Sequence, residues 1–380
     1  MAVSTIDLNE KPTATTSWWC LFRSLSEMGH EVTVLPFLGR TIKSPWWRAE
    51  DNPSRRLSKI VYSRGRELSK FPRIKSFYAS HYGTLLRIPR LIISRNWKDA
   101  IDDLIVRDGK PDVVIFFSVP LNLLSDVPSH VREKWDLPSV YYEADMPEIL
   151  PNYEGVKFTY YLGADISQFD GFLSNSEGVK ESLLAMGGKR IGTLHWAVDP
   201  TLFAPIDSRK DTDIFFTGGS SKFRQDWLNK MIGQPARELP SRLFATSGRG
   251  EERFEQVKRL GFLEFGSWKR QICQSKICLN ISRSPHATVP GTSTTRVFEL
   301  ASLGACIVSN PHNGMEKWFC PGKEITLLKE NDRPAEIYEQ LLGSPAKMME
   351  IGMRARERVL AEHTYGHRAR ELLDYLKDLS

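Results

Sequence analysis

Gly291-Thr-Ser-Thr-Thr-Arg-Val-Phe-Glu-Leu-Ala-Ser-Leu-Gly-Ala-Cys-Ile-Val-Ser309 is the stretch that decides how this chain is read. A loop of small hydroxyl residues feeds a short helix, and a Gly-Ala turn leads on into a buried strand. Such a loop leaves the first backbone N–H groups of the helix, and the positive end of its dipole, open to an anion. Glu299 comes one turn later, where a carboxylate accepts hydrogen bonds from sugar hydroxyls. Phosphate first and sugar second is the order of a nucleotide-sugar. The same residues also fit a plain helix start. Ser/Thr before a helix is an ordinary N-cap, and Arg296 and Glu299, three apart, are spaced to pair on the helix surface.

Outward from this stretch, strand and helix alternate. Glu31-Val-Thr-Val-Leu-Pro36, Pro111-Asp-Val-Val-Ile-Phe-Phe117, Pro138-Ser-Val-Tyr-Tyr142 and Gly171-Phe-Leu-Ser-Asn175 read as strands. After the polar link Pro205-Ile-Asp-Ser-Arg-Lys-Asp211 a second series starts. It comprises Asp213-Ile-Phe-Phe-Thr217, Arg242-Leu-Phe-Ala-Thr246, Ile277-Cys-Leu-Asn-Ile281, Ala305-Cys-Ile-Val308 and Glu324-Ile-Thr-Leu-Leu328. Residues 17–28 read as the first helix, and residues 333–379 as helical with breaks near Gly343 and His363. This is parallel α/β patterning, and 380 residues are ample for two cores. Tandem doubly wound domains are expected to meet at a cleft lined by the C-terminal ends of their strands.

With 41% hydrophobic and 26% charged residues, the chain as a whole is globular. No apolar run reaches the roughly 20 residues that span a bilayer. The first residues lack the basic and apolar regions of a secretory signal. Five scattered cysteines match no disulfide framework or zinc spacing, and eight histidines form no metal-binding pattern. A reducing, cytoplasmic setting, with no metal or cofactor, is the simplest expectation.

The net charge of +6 is uneven. Residues 40–98 hold fifteen Lys/Arg against three Asp/Glu, together with Trp46, Trp47, Tyr62, Phe71, Phe77, Tyr78, Tyr82 and Trp97. Basic and aromatic residues together point to peripheral contact with an anionic membrane or lipid-linked acceptor, at the inner face of the membrane. The alternative is a solvated, partly disordered insertion. Nucleic-acid binding ranks last, because no nucleic-acid motif accompanies the charge.

Several blocks carry a family resemblance. They are Leu25-Ser-Glu-Met-Gly-His-Glu-Val-Thr-Val-Leu35, Ser174-Asn-Ser-Glu-Gly178, Ala197-Val-Asp-Pro-Thr-Leu-Phe-Ala-Pro205, the stretch from Thr295 to Ser309, and the tail Ala355-Arg-Glu-Arg-Val-Leu-Ala-Glu-His-Thr-Tyr365. In these the chain resembles the glycosyltransferases of the GT-B fold, group 1 (family 4-like), and most of all their spore-maturation-type branch. The resemblance covers most of the chain beyond Pro111; residues 40–98 match poorly.

The resemblance implies a Rossmann-like acceptor domain at residues 1–194, with an insertion at 40–98, and a Rossmann-like donor domain at residues 195–362. Residues 363–380 would pack back on the first domain. It also implies retaining transfer of a hexosyl group from a nucleotide-diphosphate sugar to a glycan, lipid-linked or protein acceptor, in envelope or surface polysaccharide synthesis. On that analogy Glu299 binds the donor ribose, and Thr292, Ser293, Thr294 and Thr295 meet the diphosphate beside Gly218 and Gly219. Lys222, Arg224 and Arg283 are candidates to neutralise the leaving diphosphate; as surface charges Lys222 and Arg224 would need no such role. His286 is a candidate to line the donor sugar, or simply an exposed loop residue. Gly291 stands where many members carry a second acid, a departure that suits the spore-maturation-type branch. It also keeps open a non-catalytic nucleotide- or carbohydrate-binding protein on the same scaffold. Among the acids Glu143, Asp145 and Glu148, which otherwise read as turn and surface residues, Asp145 is the candidate base for the acceptor hydroxyl, fixed by the Met-Pro that follows.

Overall fold

Short runs of β-branched and aromatic residues become the strands of two sheets. The structure, a computed structural model, describes residues 2–4, 17–68, 81, 84–124, 126–145, 161, 163–219, 221–248 and 254–379. The first sheet contains β1 (Ala2–Ser4), β2 (Thr33–Pro36), β3 (Arg48–Ala49), β4 (Val114–Phe117), β5 (Ser139–Glu143), β6 (Gly171–Ser174) and β7 (Ile191–Thr193), in the order β3-β2-β1-β4-β5-β6-β7. The second contains β8 (Thr212–Thr217), β9 (Phe244–Ser247), β10 (Val257–Arg259), β11 (Ser275–Asn280), β12 (Cys306–Ser309) and β13 (Thr326–Leu327), in the order β10-β9-β8-β11-β12-β13. Every pairing is parallel. Each sheet therefore follows the doubly wound order and reverses once, at β1/β4 in the first and at β8/β11 in the second.

The chain divides into two compact units. One holds β1 and runs through Leu21–Leu194, and it also takes Ala369 onward; the other is His195–Arg368 with the start of the helix Ser17–Glu27. In the second unit the strands are apolar on both faces, as a sheet covered on both sides requires. Phe215 and Ile307 face a cluster with Phe298, Trp318 and Val359. Their neighbours Ile214, Phe216 and Val308 face the opposite cluster, with Met231, Tyr338 and Ile351. This is the period of two that a strand imposes. The tail forms the helices Pro334–Leu342, Pro345–Glu362 and Tyr365–Lys377.

Three readings of the sequence change. β1 and β10, which carry little apolar signal, were not expected as strands. Nor was β7, which lies just before the bridge from Val198 to Thr364. The aromatic residues of 40–98 are not all surface groups either: Trp97 stacks on Phe37 with ring centres 6.0 Å apart, and Trp47 meets Phe22 edge-on at 5.9 Å, both indoles buried. The segment forms the helices Arg55–Leu68 and Arg87–Asp108. The side chains of Tyr62, Phe71, Phe77, Tyr78 and Tyr82 lie outside the described residues.

Candidate donor site at the edge of the second sheet

The reversal at β8/β11 sets two loops beside each other at the C-terminal edge of the sheet, where doubly wound sheets bind ligands. β8 runs into Gly218-Gly219, and the backbone there is tightly drawn in. Gly248, after β9, adopts φ +155, and a β-carbon on it would collide with the Gly218 carbonyl. Gly218 N–H also donates to Ser247 O at 2.9 Å.

Arg224 ties this loop to the one after β11. Its Nε donates to Ile281 O at 2.8 Å and its Nη1 to Gly219 O at 3.1 Å. Ser284 adds a second link, donating to Phe223 O through its N–H and its hydroxyl, both at 2.9 Å. Lys222 is exposed, its ammonium 5.0 Å from the Phe223 ring centre. Arg283 Nη2 lies 3.1 Å from Nε2 of buried His286. Since a guanidinium only donates, Nε2 accepts and the imidazole carries its proton on Nδ1.

The third component is the loop into the helix Thr295–Ser302. Gly291, with φ +59, turns the chain; its N–H donates to Asn313 O at 3.1 Å. The Thr292 and Ser293 hydroxyls are engaged within the fold. Thr292 Oγ1 donates to Val289 O, and Ser293 Oγ accepts from Trp196 N–H at 2.8 Å. The helix itself has no side-chain cap and no acid in its first turn. Thr294, at the cap position, has a buried hydroxyl with no hydrogen-bond partner among the described residues.

Glu299 is buried on the second turn. Arg296 Nη1 lies 2.9 Å from its Oε2, so the surface pairing expected from the spacing does form, but under cover. Burial pushes the Glu299 carboxyl above the usual carboxylate range, against the pull of Arg296. Arg296 in turn lies over the Trp268 ring, 4.6 Å from its centre, and Trp268 Nε1 donates to Thr217 Oγ1 at the end of β8. The acid is thus connected through Arg296 and Trp268 to the strand that leads into Gly218.

Gly218, Gly219, Lys222, Arg224, Arg283, His286, Thr292, Ser293, Thr294, Thr295 and Glu299 therefore lie on three connections at one sheet edge and on the short helices that these enter. Asp145 is in the other unit, just past β5, where its N–H donates to Glu143 Oε1 at 3.0 Å. Glu143 reads from sequence as a turn acid, yet it is buried and accepts from Tyr161 Oη at 2.7 Å and Ser118 Oγ at 3.2 Å. Glu148 lies outside the described residues. No group of three His, Cys, Asp or Glu side chains among the described residues is placed to hold a metal.

His312 was not anticipated. It joins the loops after β11 and β12 to the hydroxyl loop, with Nδ1 3.1 Å from Ser282 Oγ and Nε2 2.9 Å from Thr292 O. A carbonyl only accepts, so Nε2 carries a proton. The one sign of it in the sequence is its place in the turn Asn310-Pro-His-Asn-Gly314, directly after a buried strand. Burial lowers its pKa to about 4, and burial with Arg368 alongside lowers that of His363 to about 3. Both values are depressed, so the stability they contribute is complete above the ordinary histidine value and drains as the pH falls towards the folded values. For His312 this amounts to about 3 kcal/mol by about pH 4. Melting temperature should fall steeply below about pH 6, and His312→Gln should flatten that slope. An unchanged slope would show that His312 does not carry it.

Residues 224–374 match a protein-family model described as glycosyl transferase-like. The chain has the GT-B fold, and its residues 224–374 are glycosyl transferase-like. The fold is shared with sucrose-phosphate synthase from Thermosynechococcus elongatus, at 12% identity over 100% of this chain and 99% of that one, TM-score 0.65. It is shared with Anabaena HepE in complex with UDP and glucose, at 12% identity over 99% of each chain, TM-score 0.64. A third such structure is the E. coli trehalose-6-phosphate protein bound with UDP-2-fluoro glucose, at 10% identity over 99% of this chain and 98% of that one, TM-score 0.63. At these identities the likeness is one of fold. No curated protein matches the sequence significantly. Among the described residues no helix is long and apolar enough to cross a membrane.

Proposed function

We propose that the chain is a glycosyltransferase that takes its sugar from a nucleotide-diphosphate sugar held at the β8/β11 edge. The observation that carries this is the uncapped helix start, with the buried Thr294 hydroxyl beside it and buried Glu299 one turn on. The diphosphate would meet the N–H groups of Thr294 and Thr295, and Glu299 would accept from the ribose hydroxyls. Arg224, Lys222 and Arg283 would offset the charge that develops on the departing diphosphate. His286 would face the sugar. Asp145 is the candidate base on the acceptor side, with Glu143 holding its turn. Transfer is proposed to be retaining, to a glycan, lipid-linked or protein acceptor; the spore-maturation-type placement rests on the sequence blocks quoted above.

UDP is the first nucleotide to try, since HepE is described with UDP and the E. coli protein with UDP-2-fluoro glucose. A thermal-shift panel of UDP, GDP, ADP and dTDP tests the reading. At about a hundred times its dissociation constant, the correct nucleotide adds about 2.7 kcal/mol. That raises the melting temperature by several degrees in a unit of this size. Selective stabilisation by one nucleotide is expected, and no shift with any of the four would overturn the proposal.

A further inference from the structure

The helix Arg87–Asp108 buries one face through Ile93, Trp97, Ile101, Leu104 and Ile105. Its opposite face should therefore be polar. Beyond Arg95 it is mostly so, with Asp99 and Asp103 exposed and Val106 an apolar exception near the end of the helix. Before Arg95 it is not: Ile88 is 69% and Leu91 60% exposed, and Leu85 and Ile92 stand out beside them. Ile88, Leu91 and Ile92 fall at i, i+3 and i+4, so they form one apolar stripe across the first turns. Among the described residues the charges beside this stripe are basic, and the first acid is Asp99, 3.8 Å from Arg95. Arg87 and Arg95 are exposed within it and after it, and the adjoining helix Arg55–Leu68 adds exposed Arg55, Arg56 and Lys59. Asn96 joins the two segments, its Nδ2 donating to Ser54 Oγ at 3.2 Å.

We propose that these first turns dock on an anionic lipid bilayer. The apolar side chains would enter the headgroup boundary while the guanidinium groups meet lipid phosphates. Two observations favour a bilayer over a protein groove. The apolar face is two turns long and stops at charge, too short for a helix-in-groove partner, and the surrounding charge is complementary to a phosphate surface. This binding needs no nucleotide, so it stands or falls apart from the donor site.

The test is co-sedimentation of the full chain with vesicles of phosphatidylcholine alone or of phosphatidylcholine with phosphatidylglycerol. Binding is expected only to the anionic vesicles, falling sharply between about 0.1 M and about 1 M salt. Ile88→Asp/Leu91→Asp should weaken it about tenfold or more while melting temperature and nucleotide response stay unchanged. Absence of binding to anionic vesicles, or undiminished binding by the double variant, would overturn the proposal. So would a concentration-dependent dimer in sedimentation velocity that the double variant abolishes, since the patch would then be covered by a second copy.

Discussion

Glu299→Gln should abolish nucleotide-dependent stabilisation and cut kcat/KM about a hundredfold, while making the ligand-free protein more stable at about pH 8. The two effects have one cause. A carboxylate receiving ribose hydroxyls makes charge-assisted hydrogen bonds that an amide replaces only weakly. Without ligand, the same carboxylate sits buried, and burial raises its pKa above the ordinary carboxylate range despite Arg296 at 2.9 Å. A raised folded pKa means that the fold favours the protonated acid. Ionisation therefore costs stability at high pH, and the cost disappears as the pH falls through the folded value. Glutamine imitates the protonated acid. The variant's advantage in melting temperature should be largest at about pH 8 and vanish towards about pH 4. Arg296, left without the carboxylate, keeps its place over Trp268. A variant that is less stable at high pH and still responds to nucleotide would make Glu299 a structural ion-pair partner only.

Two loops of the candidate donor site were legible because they follow strands whose signal is strong. Asp213-Ile-Phe-Phe-Thr217 and Ile277-Cys-Leu-Asn-Ile281 are short runs with apolar residues on both faces, the pattern of strands buried on both sides. The short helix after Gly291 was equally clear from its hydroxyl loop and its single acid. β1 was not legible: it is three residues long, and its place in the middle of the first sheet depends on pairing with β2 and β4, which lie about 30 and 110 residues away in the chain. His312 and Trp268 were missed for a similar reason. Their roles arise from contacts with Thr292, Ser282, Thr217 and Arg296, none of which any local spacing announces. Trp47 and Trp97 show the converse error. A basic, aromatic composition suggested a surface, but composition averages over exposed and buried positions: Trp97 lies on the buried face of its helix, and Trp47 packs on Phe22 just before β3.

Deleting residues 364–380 should leave a chain that is insoluble or melts at least about 10 °C lower. The division between the two units falls inside the helix Tyr365–Lys377, so its residues complete both of them. In the second unit Tyr365 N–H donates to Val198 O, and Arg368 Nη2 lies 2.9 Å from His363 Nδ1. In the first unit Ala369 and Leu372 are buried, and Tyr375 lies against β6 and β7, its hydroxyl donating to Arg190 O. Each buried side chain is worth about 1.5–3 kcal/mol, and a domain's whole stability is only about 5–15 kcal/mol. A milder experiment isolates one contact. β6 and β7 carry Gly171 and Gly192 where Tyr375 packs: a β-carbon on Gly171 would collide with the Tyr375 hydroxyl, and one on Gly192 would come within 2.9 Å of its ring. Gly171→Ala should therefore destabilise the native chain, yet cost little in a Tyr375→Ala background, a coupling that two independent sites would not show. Additive effects of the two substitutions would mean that Tyr375 does not occupy that position. A truncated chain that melts within a few degrees of the full one would mean that the last helix completes neither unit.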